Sequence, residues 1–400
     1  MDASIGALCW YFTGFGIAMG SGKDLGRGSA FGGEYYGLKN GDFTDGSGYS
    51  YALWLFQWAF CAATATIVSG AVAERCSFSA YVTYSVCLTA FIYPVVVHWG
   101  WNVGGWASAW RESDLLFGCG ATDFAGSGVV HMTGGVAAFW GAWWLGPRLT
   151  KPELPPTSFV FQTLGVLILW FGWYGFNGVS TLYIVGYAGV AAKTMVTTTI
   201  SAATCAICTV YFKAFYDKMM GYEEKIVIKL SSANNGVLAG LVSITAGCST
   251  VDPYGAFIIG MIAAPVYVIS SDKLAFLDDV VDAVPVHGVC GFYGVFMTGL
   301  FATKANYAAA YYGARAEKCA GAFYGGDGSL LGANFVLLIA IIAWTSTCSN
   351  VVFGALYKMG VLRVDPSVEE AGMDSSEHGV APPSGGKKSS EIEVVDSSSI

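Results

Sequence analysis

Asp123-Phe-Ala-Gly-Ser-Gly-Val-Val-His131 and Asp279-Val-Val-Asp-Ala-Val-Pro-Val-His287 share one pattern. Each sets an Asp eight residues ahead of a His, and each runs on into a long apolar segment. Eight residues of helix rise about 12 Å. The spacing predicts a carboxylate near one surface and a His buried roughly a third of the way across the hydrocarbon layer. If the two segments cross in opposite directions, they form halves of an inverted repeat and their His side chains meet near the midplane.

Composition supplies the membrane. The chain has 400 residues, of which 54% are hydrophobic and 12% charged, and its mean hydropathy is +0.53. A soluble domain of this size carries about a quarter charged residues. Aromatics reach 15%, thirteen of them Trp, which suits two water–lipid interfaces. No basic run points to nucleic acid. The eleven Cys are scattered, several of them inside apolar runs (Cys61, Cys87, Cys205, Cys208), and read as small buried residues rather than a disulfide framework or metal site. Residues 1–20 are apolar but lack a basic lead-in and a small-residue cleavage site, so they read as a mature span.

A spanning helix needs about 20 mostly apolar residues. Ten stretches qualify, near 3–20, 50–73, 78–98, 123–146, 158–178, 187–212, 232–249, 254–271, 282–303 and 330–358. The fold class expected is an all-α polytopic membrane protein with a transmembrane domain over 1–358. Residues 359–400 form a tail rich in polar residues, disordered near its end. Placing that tail in the cytoplasm puts twelve Lys and Arg inside and eight outside, the expected bias. Runs such as Gly70–Ala73 and Gly134–Ala138 let helices approach closely, as in one tight bundle.

Two of the four His, His131 and His287, fall well inside apolar spans. Each could be a hydrogen-bonded packing residue. Ionisable groups in hydrocarbon are costly and mark pathways, and the repeated spacing favours that reading. Metal or haem ligation is the third possibility, and no cluster of further ligands accompanies the pair. Asp123 and Asp279 read as helix caps, a structural task, rather than as proton carriers.

Aromatic residues suggest a layered path above the His pair. Phe56 and Phe60 are one turn apart on one helical face, and Phe176 and Ser180 sit four residues apart on a span running the other way. Phe56 then pairs with Ser180 in the outer layer, and Phe60 with Phe176 one turn deeper, while Trp101 ends a span on the same outer side. Aromatic faces attract a cation and a hydroxyl adds an acceptor. A Phe pair below would reject hydrated ions. The alternative for these aromatics alone is an interfacial belt with lipid-facing Phe.

On these residues the chain resembles the ammonium transporter family, and most nearly its plant and algal branch. The stretches concerned are DFAGSGVVHMTGG (123–135), LWFGWYGFN (169–177), FQWAF (56–60), SGAVAER (69–75), YPVVVHWGW (93–101) and VHGVCGFYGVFMTGLFA (286–302). The resemblance implies an inverted-repeat bundle, a homotrimer with one pore per subunit, ammonium or ammonia as substrate, no cofactor and no enzymatic activity. It implies that Trp101, Phe56 and Ser180 recruit ammonium, that Phe60 and Phe176 form a gate, and that His131 and His287 line the pore. By the same resemblance Asp123 supports the recruitment site, ammonium gives up its proton on leaving the vestibule, and the location is the plasma membrane. The family has eleven helices, and Met1 falls at the start of its second, so the first is expected to be missing. In the tail, Ser376 stands where plant relatives carry a phosphorylatable Thr, which makes it a candidate site for a kinase. An ammonium sensor that conducts little is the competing reading.

Overall fold

A computed structural model of the chain describes residues 1–20, 32–39, 43, 48–149 and 158–377. In a bilayer every backbone N–H and C=O must be satisfied internally, which leaves these apolar runs only the helix. Ten helical rods result: α1 (2–19), α2 (Tyr49–Val72), α3 (Phe78–Trp101), α4 (127–145), α5 (Phe159–Thr181), α6 (Ala188–Met219), α7 (Leu230–Thr245), α8 (Pro253–Lys273), α9 (Val284–Phe301) and α10 (Ser329–Lys358). Seven of these are long and apolar enough to cross a membrane by length and composition; α1, α4 and α7 complete the bundle. Local chemistry sets several starts. The Ser77 and Ser158 hydroxyls accept the amides of Ala80 and Phe161 at 3.2 Å each, and Pro253 opens α8.

The rods pack as two layers of core. One centres on α1–α4 and α10, with Trp10, Tyr93, Val130, Leu337 and Ile341 buried. The other joins α6–α9 through Leu241, Ile244, Ile259 and Val268. On the outside, α5 turns Phe161 and Phe171 outward at 74% and 78% exposure, a surface fit for hydrocarbon rather than water.

α4 and α9 meet where the two layers join, and glycine makes the contact. A Cβ at Gly135 would stand 2.2 Å from the Gly288 nitrogen, and one at Gly291 would stand 2.4 Å from the Ser127 carbonyl oxygen. Backbone therefore touches backbone, as small residues permit in membrane bundles.

The two rods run in opposite directions. α4 begins beside the loop that follows α3, whereas α9 begins beside the ends of α2 and α4. There Arg148 is held bidentately by Asp278 (Nε to Oδ2 2.9 Å, Nη2 to Oδ1 3.0 Å) and also meets Glu74. These hydrogen bonds to Asp278 hold the Arg148 guanidinium charged well above its usual range. Arg75, fully buried, donates to the Gly146 carbonyl at 2.8 Å and to the Leu277 carbonyl at 3.2 Å. The same end carries the tail. Arg363 donates to the carbonyls of Leu145 (2.7 Å) and Pro147 (2.9 Å) and pairs with Glu369, which in turn accepts the Leu149 amide. His378 and the rest of the tail lie outside the described residues.

The cysteine reading needs correction. Cys119, in the loop between α3 and α4, is joined by a disulfide to Cys319, in the loop between α9 and α10, across a sequence separation of 200. Both are fully buried. Arg315 reinforces the clasp by donating to the Arg111 carbonyl at 2.7 Å, and Trp110 stacks on Tyr311 at 4.5 Å.

Candidate functional site

At the end of the bundle opposite the tail lies a cavity of about 380 Å³, lined by Phe56, Gln57, Trp101, Phe124 and Ser180 among others. The Trp101 indole donates to the Asp123 backbone carbonyl at 2.7 Å, which fixes the ring over the cavity. The Ser180 hydroxyl donates to the Phe176 carbonyl at 2.7 Å, so its oxygen keeps lone pairs to offer.

Phe60, 2% exposed, packs directly below the cavity. Its ring centre lies 4.7 Å from Phe56, 5.4 Å from Trp101 and 4.1 Å from Phe176. Phe176 in turn lies 5.4 Å from His131, and His131 lies 5.2 Å from His287. The aromatic layers and the two His therefore form one continuous column. The His rings are nearly parallel, and their Nδ1 atoms are 3.2 Å apart. One of those nitrogens must carry a proton and the other accept it. The His131 Nε2 is buried and has no hydrogen-bond partner.

The route from Asp to His differs from the spacing argument. Asp123 is not on the helix: it is 3% exposed, and the chain turns at Gly126 with φ +99° before α4 begins. From that lead-in its carboxylate accepts three backbone amides, Gly126 at 3.1 Å, Gly128 at 2.9 Å and Val129 at 2.7 Å. Asp279 repeats the arrangement at the start of α9, accepting the Val284 amide at 2.7 Å, with a left-handed residue, Asp282, between them. Both caps therefore act from outside the helix on its first unpaired N–H groups.

Both His occupy π-helical turns, Ser127–Met132 and Val284–Val289, and Phe176 occupies another, Tyr174–Gly178. A π turn widens the helix and redirects a side chain, and such turns gather at functional sites. Trp173 was not singled out by sequence. It stacks on His131 at 5.0 Å with ring planes 10° apart and donates to the Thr245 hydroxyl at 2.9 Å. Its position three residues before Phe176, on the same face, was the available signal. Ser376 is exposed at the end of a short tail helix, Met373–Ser376, and its hydroxyl donates to the Gly372 carbonyl at 2.9 Å.

Ten packed apolar rods around a buried aromatic and His column define a polytopic membrane protein among the described residues. The chain belongs to the Ammonium Transporter Family, which it matches over residues 1–381. It is 42% identical to ammonium transporter 1 member 2 of Oryza sativa subsp. japonica, over 95% of this chain and 77% of that protein. It is 41% identical to ammonium transporter 1 member 1 of Arabidopsis thaliana, over 95% of this chain and 76% of that one. Among solved structures it superposes on a sensor Amt protein (TM-score 0.76, 28% identity, 94% of this chain and 87% of the other). It also superposes on Saccharomyces cerevisiae Mep2 (TM-score 0.76, 25% identity, 91% and 78%). These relatives are named as transporters or as a sensor, and the chain is a transport protein by family, not an enzyme.

Proposed function

We propose that this chain moves ammonium across a membrane, with ammonia passing the apolar column and its proton passing the His pair. The observation that carries the reading is the unbroken sequence Phe60, Phe176, His131, His287 beneath an aromatic-lined cavity. Trp101, Phe56 and Ser180 receive the ion, since aromatic faces attract a cation and the Ser180 oxygen accepts an N–H. Phe60 and Phe176 offer no polar group to replace water, so a hydrated ion is excluded. Desolvation disfavours the charged form, and ammonium separates into ammonia and a proton at this point.

The His geometry accounts for the proton. When the shared hydrogen sits on His131 Nδ1, the His131 Nε2 is bare and the His287 Nε2 carries a hydrogen. A proton taken up at His131 Nε2 lets the shared hydrogen pass to His287 Nδ1, and the His287 Nε2 hydrogen is released beyond. One proton enters, one leaves, and the two tautomers are exchanged. Asp123 and Asp279 hold the helix starts that aim the rings.

Residues 1–358 constitute the transport domain and 359–400 a regulatory tail facing the cytoplasm of a plasma-membrane homotrimer. A kinase acting at Ser376 would govern how the tail docks. A second reading, a sensor with little flux, is favoured by the likeness to the sensor Amt protein. Rescue of ammonium-limited growth in yeast lacking its own ammonium transporters tests both readings. Rescue by the parent and not by a His131→Ala, His287→Ala double variant supports transport through the pair. Surface-localised protein without rescue supports the sensor.

A further inference from the structure

The cavity above Phe60 needs acceptors. A cation with four N–H groups that sheds its water must find oxygen in exchange, or the loss is large. Most polar groups at the cavity are already engaged. Both Asp123 oxygens accept backbone amides. Asn102 donates to the Ala18 carbonyl at 3.0 Å and accepts the Gly104 amide at 2.7 Å. Ser180 has given its hydrogen to Phe176.

Gln57 stands apart as a buried group. It lies on α2 between Phe56 and Phe60, lines the cavity and is 4% exposed, and its Oε1 has no hydrogen-bond partner. A buried amide oxygen left without a donor is costly and calls for an explanation. No hydrogen bond among the described residues pins the amide, and its terminal torsion is broad and two-fold, so the carbonyl can turn into the cavity.

We infer that Gln57 is a specificity-determining residue of the ammonium site: its side-chain carbonyl accepts an N–H from the ion as the ion loses water against Phe60. This rests on the transport reading above, and it adds a buried directional acceptor beside the ring faces of Phe56 and Trp101 and the Ser180 hydroxyl. Ring faces attract any cation of suitable size, potassium included. A lone neutral carbonyl rewards an N–H donor, whereas potassium requires a shell of oxygens to replace its water. Gln57 is therefore what separates ammonium from potassium in this cavity.

The test is binding by purified protein, read by Trp fluorescence during titration with ammonium chloride or potassium chloride at constant ionic strength, together with uptake kinetics. Gln57→Leu keeps the volume and removes the acceptor. The expected result is an apparent Kd for ammonium raised about tenfold, the scale of one lost hydrogen bond to a charge, with potassium affinity unchanged, so that potassium inhibits uptake more strongly. In uptake the loss appears in KM more than in the maximal rate. Gln57→Asn, which retains a shorter amide, is expected to recover part of the preference, showing that the effect is not a folding defect. Saturable ammonium binding that Gln57→Leu leaves unaltered, with the same preference over potassium, overturns the assignment while the transport reading stands. A parent that gives no saturable ammonium signal and no uptake overturns both.

Discussion

His131 and His287 face each other through their Nδ1 atoms at 3.2 Å, not through the Nε2 atoms that would ordinarily reach farther. Facing in this way spends one nitrogen of each ring on the partner and leaves both Nε2 atoms for the path. Removing either ring leaves the other with a buried Nδ1 and no partner. Single His131→Ala and His287→Ala variants are each expected to lower the current carried per ammonium at least tenfold, since a relay needs both members. Paired measurement of current and labelled uptake checks this. Equal current from a single variant and the parent would refute the relay and leave the rings a packing role.

Asp123 is tied to the cavity from two sides: its carboxylate holds the first amides of α4, and its backbone carbonyl holds Trp101. Asp123→Asn replaces one accepting oxygen with an NH2 that points at N–H donors. A loss of about 2 kcal/mol of stability follows, from hydrogen bonds to a charged group. Thermal unfolding in detergent and uptake should fall together. If uptake collapses while the unfolding temperature is unchanged, Asp123 handles a proton and the capping role is secondary.

Seven of the ten spans are decided by hydropathy and length alone, the other three by their place in the apolar pattern, and observed ends fall within a few residues of the expected ones except in α6, which runs on from 212 to Met219. The pairing of His131 with His287 was legible in the repeated Asp-to-His spacing. The details of that spacing were not. Reading eight residues as regular helix puts Asp123 on the helix itself, whereas Gly126 turns the chain and a π turn follows, neither of which alters the apolar pattern. Phe60 and Phe176 could be matched by counting helical turns, since both lie on single rods. Trp173 was missed because one more Trp in an apolar run of α5 looks like lipid-facing surface. The Cys119–Cys319 link was invisible for a different reason: its partners are 200 residues apart among eleven Cys, with no local spacing to single them out.

That link carries its own consequence. Disulfides persist in oxidising compartments, so the cavity end of the bundle is expected to face the outside or a lumen connected to it. Non-reducing peptide mapping of protein from intact cells should recover the 119–319 crosslink. Cys119→Ser, Cys319→Ser should lose about 2–4 kcal/mol of stability. Because the clasp anchors Trp110 and the loop leading to Phe124, the effect on uptake should appear first in KM. Recovery of both thiols free and alkylatable in the unreduced protein would contradict the outward placement.

The short tail helix Pro366–Ala371 is fixed to the bundle through one carboxylate. Glu369 is 7% exposed, pairs with Arg363 and accepts the Leu149 amide at 2.6 Å, so it binds the tail helix both to the end of α10 and to the loop after α4. Glu369→Ala removes both contacts and leaves a partly buried guanidinium without its carboxylate, a change that costs about 3 kcal/mol or more when a buried pair is broken. The tail should then detach. Trypsin should cleave after Arg363 faster than in the parent, with the spans intact. Ser376→Asp acts more mildly: it loses the hydrogen bond to the Gly372 carbonyl and places a negative charge at a helix C-terminus, where charge of that sign is unfavourable. If docking sustains transport, both variants lower uptake at equal surface abundance, Glu369→Ala more than Ser376→Asp, while Ser376→Ala stays close to the parent. Faster cleavage with unchanged uptake would separate docking from activity and remove the tail from regulation.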